Sequence, residues 1–330
     1  MTILRKLGII GLCIGLIAGV TTTVTSGAAA QAWEPFKPIQ IVVISAKGGG
    51  ADDMARLIQG AVVKHKLASK PITVINKSGG TGAEALIYLK EKQGDSHTLL
   101  VAQNKFYTTP LNNPGIGVDI STFTPIGRMA VDTFVLWVHK DSGIKTLDDF
   151  VKAAKAAGPK WIMAGSGKQS EDELLTEFLK ASYDLPEMKY VPYPGGGDVA
   201  ASLAGKNSNS TVNNPGEQLG FYLAGKTGPI ITFTKARQPL FPDAPTIGET
   251  GNEFEYKMQR SVIGAPGMPK EAAQYYQNLM AQVYTTPEWQ AFMKKKGMTS
   301  GFLTGDLLMD FWLAERKTHE RMLKEMGMIK

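Results

Sequence analysis

Apolar and polar positions fall into a repeated order once the chain passes Trp33. Residues 39–44 form an apolar, largely β-branched run, and Gly48, Gly49 and Gly50 follow it. Asp52 and Asp53 then open an amphipathic stretch over 54–66 with helical spacing, which makes Asp52 the expected N-cap. The order recurs as a strand over 72–75, a glycine-rich loop over 78–82, a helix over 83–92 and a strand over 97–102. Strands over 161–164 and 189–193 lead in the same way, through glycine-rich loops at 165–167 and 194–197, into helices over 171–183 and 198–204. Further strands are expected over 134–138 and 229–233. The chain from Lys270 onward reads as helices broken at Pro287 and Gly297. Strands alternating with helices at this spacing predict βαβ units and parallel sheets.

Four strand–loop–helix junctions are visible, two in each half of the chain. Each sets glycine-rich backbone beside a helix N-terminus, where unsatisfied N–H groups and the helix dipole favour an anion. Ligands of open α/β sheets lie beyond the C-terminal ends of the strands, where these loops fall. A single such loop is ordinary turn chemistry. Four of them point to a shared cleft.

The first residues follow another pattern. Arg5 and Lys6 precede an uncharged apolar run over 7–20, and small residues at 28–32 offer a cleavage site. That is the layout of a secretory signal peptide, expected over 1–32. The run is shorter than the ~20 residues a membrane span needs. Cys13, the only cysteine, lies inside it, and Leu12 stands where a lipoprotein signal wants a small residue. The mature chain is therefore expected in the periplasm, without disulfides.

The 330 residues are 43% hydrophobic and 20% charged, enough for one large core or two modest ones. Net charge is +6 and falls to +4 without Arg5 and Lys6, since the first acid is Glu34. The basic residues are scattered apart from Lys294, Lys295 and Lys296, so no nucleic-acid partner is expected.

Catalytic motifs fail on context. Residues 220–227 spell a phosphate-loop pattern, but they end a helix and Pro229 follows, so no helix starts there. Gly80, Gly82 and Ala85 fit a loose dinucleotide fingerprint without the acid expected after the next strand. Ser142 and Lys145 form S-x-x-K without its companion motifs. The four histidines, His65, His97, His139 and His319, lie far apart. No metal, no cofactor and no catalytic set is expected.

Longer segments carry a resemblance. PIQIVVISAKGGGADDMAR (38–56), VINKSGGTGAEA (74–85), FTPIGRM (123–129) and KTLDDFVKAAKA (145–156) resemble the receptors of tripartite tricarboxylate transporters, the Bug-type periplasmic binding proteins. VPYPGGGDVAASLAGK (191–206), VNNPGEQLGFYLAGK (212–226), FPDAPTIGETG (241–251) and IGAPGMPKEA (263–272) continue it in the family's order. The chain departs where the family usually carries a proline after the first strand, with Ile44-Ser45. It departs again at Ser96-His97 and at 224–230.

The resemblance implies a type II periplasmic-binding-protein fold, two α/β lobes joined by two crossing strands near 130–138 and 255–265. Lobe one is expected at 33–130 plus 255–330 and lobe two at 131–254. It further implies a monomeric, non-enzymatic receptor for a small organic carboxylate: a di- or tricarboxylate, an acidic amino acid or an aromatic acid. The membrane permease subunits of an ion-gradient-driven transporter would be its partner. A ligand carboxylate is expected against the amides of Gly48, Gly49, Gly50 and Gly82, with Thr81 and Gln103 or Asn104 adding side-chain contacts. Ser45 and Asp52 complete that side. Ser166, Gly167, Gly195, Gly196 and Asn213 or Asn214 are expected opposite, and Phe106 and Tyr107 are candidate walls or core. A sensor subunit and an enzyme on a similar fold stay open as alternatives.

Overall fold

The first β-branched run pairs on both sides and is buried on both faces, as a central parallel strand must be. The structure, a computed structural model, describes Trp33–Lys330, and the leader expected over 1–32 lies outside the described residues. The chain begins with β1 (Ile39–Val43), α1 (Gly50–Lys64), β2 (Ile72–Asn76), α2 (Ala83–Lys90), β3 (Thr98–Ala102), α3 (Lys105–Asn112) and β4 (Thr124–Thr133). It continues with β5 (Val135–His139), α4 (Leu147–Ala157), β6 (Ile162–Ser166), α5 (Glu171–Tyr183), β7 (Lys189–Tyr193) and α6 (Gly196–Ala204). The rest is β8 (Ser210–Asn213), α7 (Pro215–Leu223), β9 (Thr227–Thr232), β10 (Lys257–Gly264), α8 (Lys270–Thr285), α9 (Pro287–Lys296) and α10 (Gly305–Glu325).

Two five-stranded sheets result, ordered β2-β1-β3-β10-β4 and β7-β6-β8-β5-β9. Each holds a parallel trio followed by an antiparallel fourth strand, so the two lobes repeat one topology. The chain leaves the first sheet at the end of β4, passes Phe134 and enters the second as β5. It returns through Phe254 and Tyr256 into β10. Phe134 and Tyr256 lie in contact at this joint, ring centroids 5.5 Å apart.

Apolar clusters cover both faces of each sheet. Met54, Ile58 and Leu279 lie on one face of the first, and Leu86, Phe106 and Trp312 on the other. Phe150, Leu175 and Phe233 pack one face of the second, and Trp137, Leu203 and Phe241 the other. The C-terminal helix is shared: Leu308 and Trp312 of α10 belong to a first-sheet cluster, while Leu323, fifteen residues beyond Leu308, belongs to a second-sheet cluster. Its 21 residues span about 31 Å at helical rise, enough to reach from one to the other.

Two helices start earlier than their acids suggested. α1 begins at Gly50 with Gly49 as N-cap, so Asp52 lies inside the first turn rather than capping it. α6 begins at Gly196 rather than Asp198. In both, the glycines are the first turn itself, and they put N–H groups at its open end. α3 is a helix that the apolar pattern does not predict.

A charged pair lies inside the joint. Arg260 on β10 donates to Asp132 on β4, with Nε–Oδ2 at 2.9 Å, and both are essentially buried. Arg260→Met should leave Asp132 without its counterion and cost about 3–5 kcal/mol in urea unfolding.

Candidate ligand site between the two lobes

The loops at the C-terminal ends of the parallel strands face each other across the joint and line a small cavity between them. Ser45, Gln103 and Lys105 line it from the first lobe, and Phe134 and Met258 from the crossing strands. Ser166, Glu171, Asp172, Gly195, Gly196, Asn214 and Glu217 line it from the second. The lobes touch around its rim. Thr81 Oγ1 donates to Lys168 O (3.1 Å), and Asn112 Nδ2 donates to Gln169 O (2.6 Å). Lys296 Nζ reaches both Asp53 Oδ2 (2.7 Å) and Gly216 O (3.2 Å).

The α1 N-terminus does bind an anion, and the anion is the protein's own. Gly50 N–H donates to Glu217 Oε1 (3.0 Å), from the first turn of α7 in the opposite lobe. Glycine is required at two places around this carboxylate. A Cβ on Gly196 would overlap the Glu217 carboxyl group, and one on Gly50 would stand 2.6 Å from the Arg260 guanidinium. The other loops are similarly engaged. Gly48 N–H donates to Asp52 Oδ2 (3.0 Å), Ser166 N–H to Asp172 Oδ2 (2.6 Å) and Gly79 N–H to Glu84 Oε2 (3.2 Å).

Burial sets the charge state of this chamber. It raises the pKa of Glu171, Asp172 and Glu217, with Asp172 pushed up to about 7. Lys105 opposes the shift at Glu171, the Ser166 N–H at Asp172, and Arg260 with the Gly50 N–H at Glu217. Asp52 goes the other way. Burial would raise it, but hydrogen bonds from Arg56, Gly48 and Asn76 outweigh burial and hold it below the usual carboxylate range.

The profile of the tripartite tricarboxylate transporter family receptor matches residues 54–328. The chain belongs to this receptor family. A protein from the gbd 5' region of Cupriavidus necator is 23% identical over 296 residues, covering 90% of this chain and 89% of the relative. The periplasmic binding protein BugD superposes with a TM-score of 0.84 at 22% identity, over 90% of this chain and 99% of its own. A Rhodopseudomonas palustris protein with adipate, Rpa4515, gives 0.83 at 24% identity, over 89% of this chain and 98% of its own. MatC from the same organism, with bound malate, gives 0.79 at 20%, over 88% and 99%. These likenesses show the type II periplasmic-binding-protein fold, two α/β lobes joined by crossing strands.

Within this receptor, six of the residues singled out in the sequence line the cavity: Ser45, Gln103, Ser166, Gly195, Gly196 and Asn214. Gly49, beside Gly196, does not line the cavity, and neither do Gly167 and Thr81, which lie beside each other. Gly48, Gly50 and Asp52 are taken up by the contacts above. Gly82, at φ +93°, closes on Ile44 and does not line the cavity.

Asn104 is corrected by its surroundings. It is fully buried in the joint, accepting from Gln259 N–H (3.0 Å) and donating to Lys257 O (3.0 Å). Asn213 is likewise spent, its Nδ2 donating to Gly196 O (3.0 Å) and its Oδ1 accepting from Asn214 N–H (2.9 Å). Phe106 and Tyr107 are core, fully buried beside Trp312 and His319.

Sequence reasoning missed Lys105, Phe134, Glu171, Asp172, Glu217 and Met258. Lys105 follows the polar pair that ends β3, and that position was a signal. Glu171 and Asp172 read as ordinary acids of a helix first turn.

The raised pKa of Asp172 has a definite sign for stability. Its folded value of about 7 lies above its unfolded value, so the folded carboxyl keeps a proton that the unfolded chain releases. Its support for folding is full below the unfolded value and is lost as pH rises toward 7. Asp172→Asn removes that loss. Its stability relative to wild type should rise by up to about 4 kcal/mol between pH 4 and pH 8 in urea unfolding.

Proposed function

We propose that this chain is a periplasmic receptor that captures a small organic carboxylate between its lobes. It delivers that acid, as a monomer, to the membrane permease of an ion-gradient-driven tripartite transporter. Residues 1–32 serve as the export leader, with lobe one at 33–130 plus 255–330 and lobe two at 131–254. The observation that carries the reading is Lys105: a buried lysine, 4% exposed, that lines the interlobe cavity and makes no ion pair among the described residues. A buried ammonium with no ion pair at contact distance is costly, and a bound carboxylate reduces that cost. The adipate of the R. palustris protein and the malate of MatC, on the same fold, support the choice of ligand class.

Ser45, Gln103, Ser166, Gly195, Gly196 and Asn214 are the contacts proposed around the acid, together with Lys105. Binding shifts the lobes toward the closed population, because only then do both sets of loops touch one molecule.

A thermal-shift screen over citrate, malate, glutamate, terephthalate and benzoate tests this reading. At least one acid should raise the melting temperature of the wild type. Ser166→Trp, which fills the cavity from the second lobe, should abolish that rise while the free variant still melts cooperatively. Undiminished affinity in Ser166→Trp would remove the second-lobe assignment.

A further inference from the structure

A second hollow lies on the other side of the crossing strands. Neighbouring residues of a strand point to opposite faces, and both crossings show it. Phe134 and Met258 line the ligand cavity, whereas Thr133 and Lys257, one position before each, line this hollow. Its walls come from both lobes. Residues 234–239, which follow β9, form one side. Gly297 and Thr299 form the other, and Thr299 N–H is fastened to Val131 O of β4 (2.8 Å). A further hollow shares Gln238, Pro239, Gly297 and Thr299 with the first and continues past them to Met293 and Lys294. The two make one continuous groove behind the joint.

The groove has an apolar floor and a cationic lip. Pro239, Leu240, Met293 and Met298 supply the floor. Lys235 on one lip and Lys294 on the other are exposed and make no ion pair among the described residues. Arg237 and Lys257 are each held by a single carboxylate, from Glu249 and Glu255. Asp132, also in the wall, is taken up by Arg260. The groove therefore keeps an excess of positive charge. Lys294 belongs to the basic run at the end of α9, where cations suit the helix dipole. That explanation does not extend to Lys235, which stands across the groove on a loop.

We propose that this groove docks an acidic, partly apolar peptide segment of a partner protein, and that it does so when the lobes are closed. Apolar side chains of the segment lie on the floor, and its carboxylates pair with Lys235 and Lys294. A flat anionic membrane reaches the lysines but not the floor between them. The crossing strands are the pivot, with the ligand cavity on one side and the groove on the other. A rotation that parts the loops around the ligand brings the groove walls together. A segment that fits the groove at its present width thus favours the closed population. Docking stands on the groove alone, whereas its dependence on closure rests on the receptor reading above.

Fluorescence anisotropy on the mature chain tests this with three probes. The first is a short labelled peptide of Glu, Leu and Gly, the second the same peptide with Lys in place of Glu, and the third vesicles of phosphatidylglycerol. The Glu peptide should bind, and its affinity should fall as salt rises. Lys235→Glu combined with Lys294→Glu should weaken it at least about fivefold, with an unchanged melting temperature because both side chains are exposed. Lys152→Glu, on the exposed face of α4 and outside both hollows, should leave it unchanged. Ser166→Trp wedges the ligand cavity and touches no part of the groove, yet it should also weaken the peptide.

Equal binding of the Lys peptide would overturn the proposal, as would an unchanged affinity in the double variant. Vesicles that bind where neither peptide does would overturn it too, and would assign the lysines to a lipid surface. Undiminished peptide affinity in Ser166→Trp would overturn the dependence on closure and leave the receptor reading untouched. That reading is tested by the acids alone, none of which enters these measurements.

Discussion

The structure turns on the burial of charge where the two lobes join. Arg260 is 1% exposed and sits on β10, one of the two strands on which the lobes are hung. Its guanidinium is held by Asp132 on β4, fills the space over Gly50 at the start of α1, and favours the anion of Glu217 on α7. A cation removed from water must collect anions, and these anions come from different segments. One side chain thereby sets the crossing strands, the first helix of one lobe and a helix of the other. Gly50 is glycine because the guanidinium needs its place, and Gly196 because the Glu217 carboxyl does.

The alternation of strands and glycine-led helices was legible because it is local. Each parallel strand is a short apolar run, and each helix opens on residues that free its first N–H groups. The principle that those openings favour anions also held. What the sequence could not disclose is which anion arrives. Gly48 with Asp52, Ser166 with Asp172 and Gly79 with Glu84 are pairs four to six residues apart, so a reader of spacing could have matched them. Gly50 with Glu217 spans 167 positions and exists only once two lobes are folded and apposed. In this structure the amides of Gly48 and Gly50, expected to meet a ligand carboxylate, meet the protein's own carboxylates.

The same distinction explains the residues that were missed. Glu171 and Asp172 have the look of dipole-complementing acids at a helix start, and in that role they would be solvated. The fold puts that helix start under the opposite lobe, and the water is lost. Ile44-Ser45, where the chain departs from its family, follows the same logic. Ile44 packs against Gly82 and closes that loop, while Ser45 turns a hydroxyl into the cavity wall. The Ile44-Ser45 step thus shapes the chamber wall that a ligand would meet.

The joint and the chamber are also connected through adjacent residues. Asn104 is locked among Tyr107, Tyr256, Lys257, Gln259 and His319, drawn from α3, β10, the segment before β10 and the shared helix α10. His319 Nδ1 faces the Glu315 carbonyl (2.8 Å), which can only accept, so that nitrogen carries the proton and Nε2 accepts from Tyr256 (2.9 Å). Burial holds its pKa down at about 4, so the ring stays neutral and this pattern persists across the physiological range. Lys105, the next residue, leaves the network and enters the cavity. In the proposed receptor, a group bound to Lys105 would pull on the N-terminus of a helix whose first contacts are the joint between the lobes. Because Asn104 holds both crossing-strand backbone and α10, whose far end packs in the second core, that pull would reach both lobes. In the proposed receptor, ligand recognition and lobe movement would need no separate relay, because consecutive residues would carry the two.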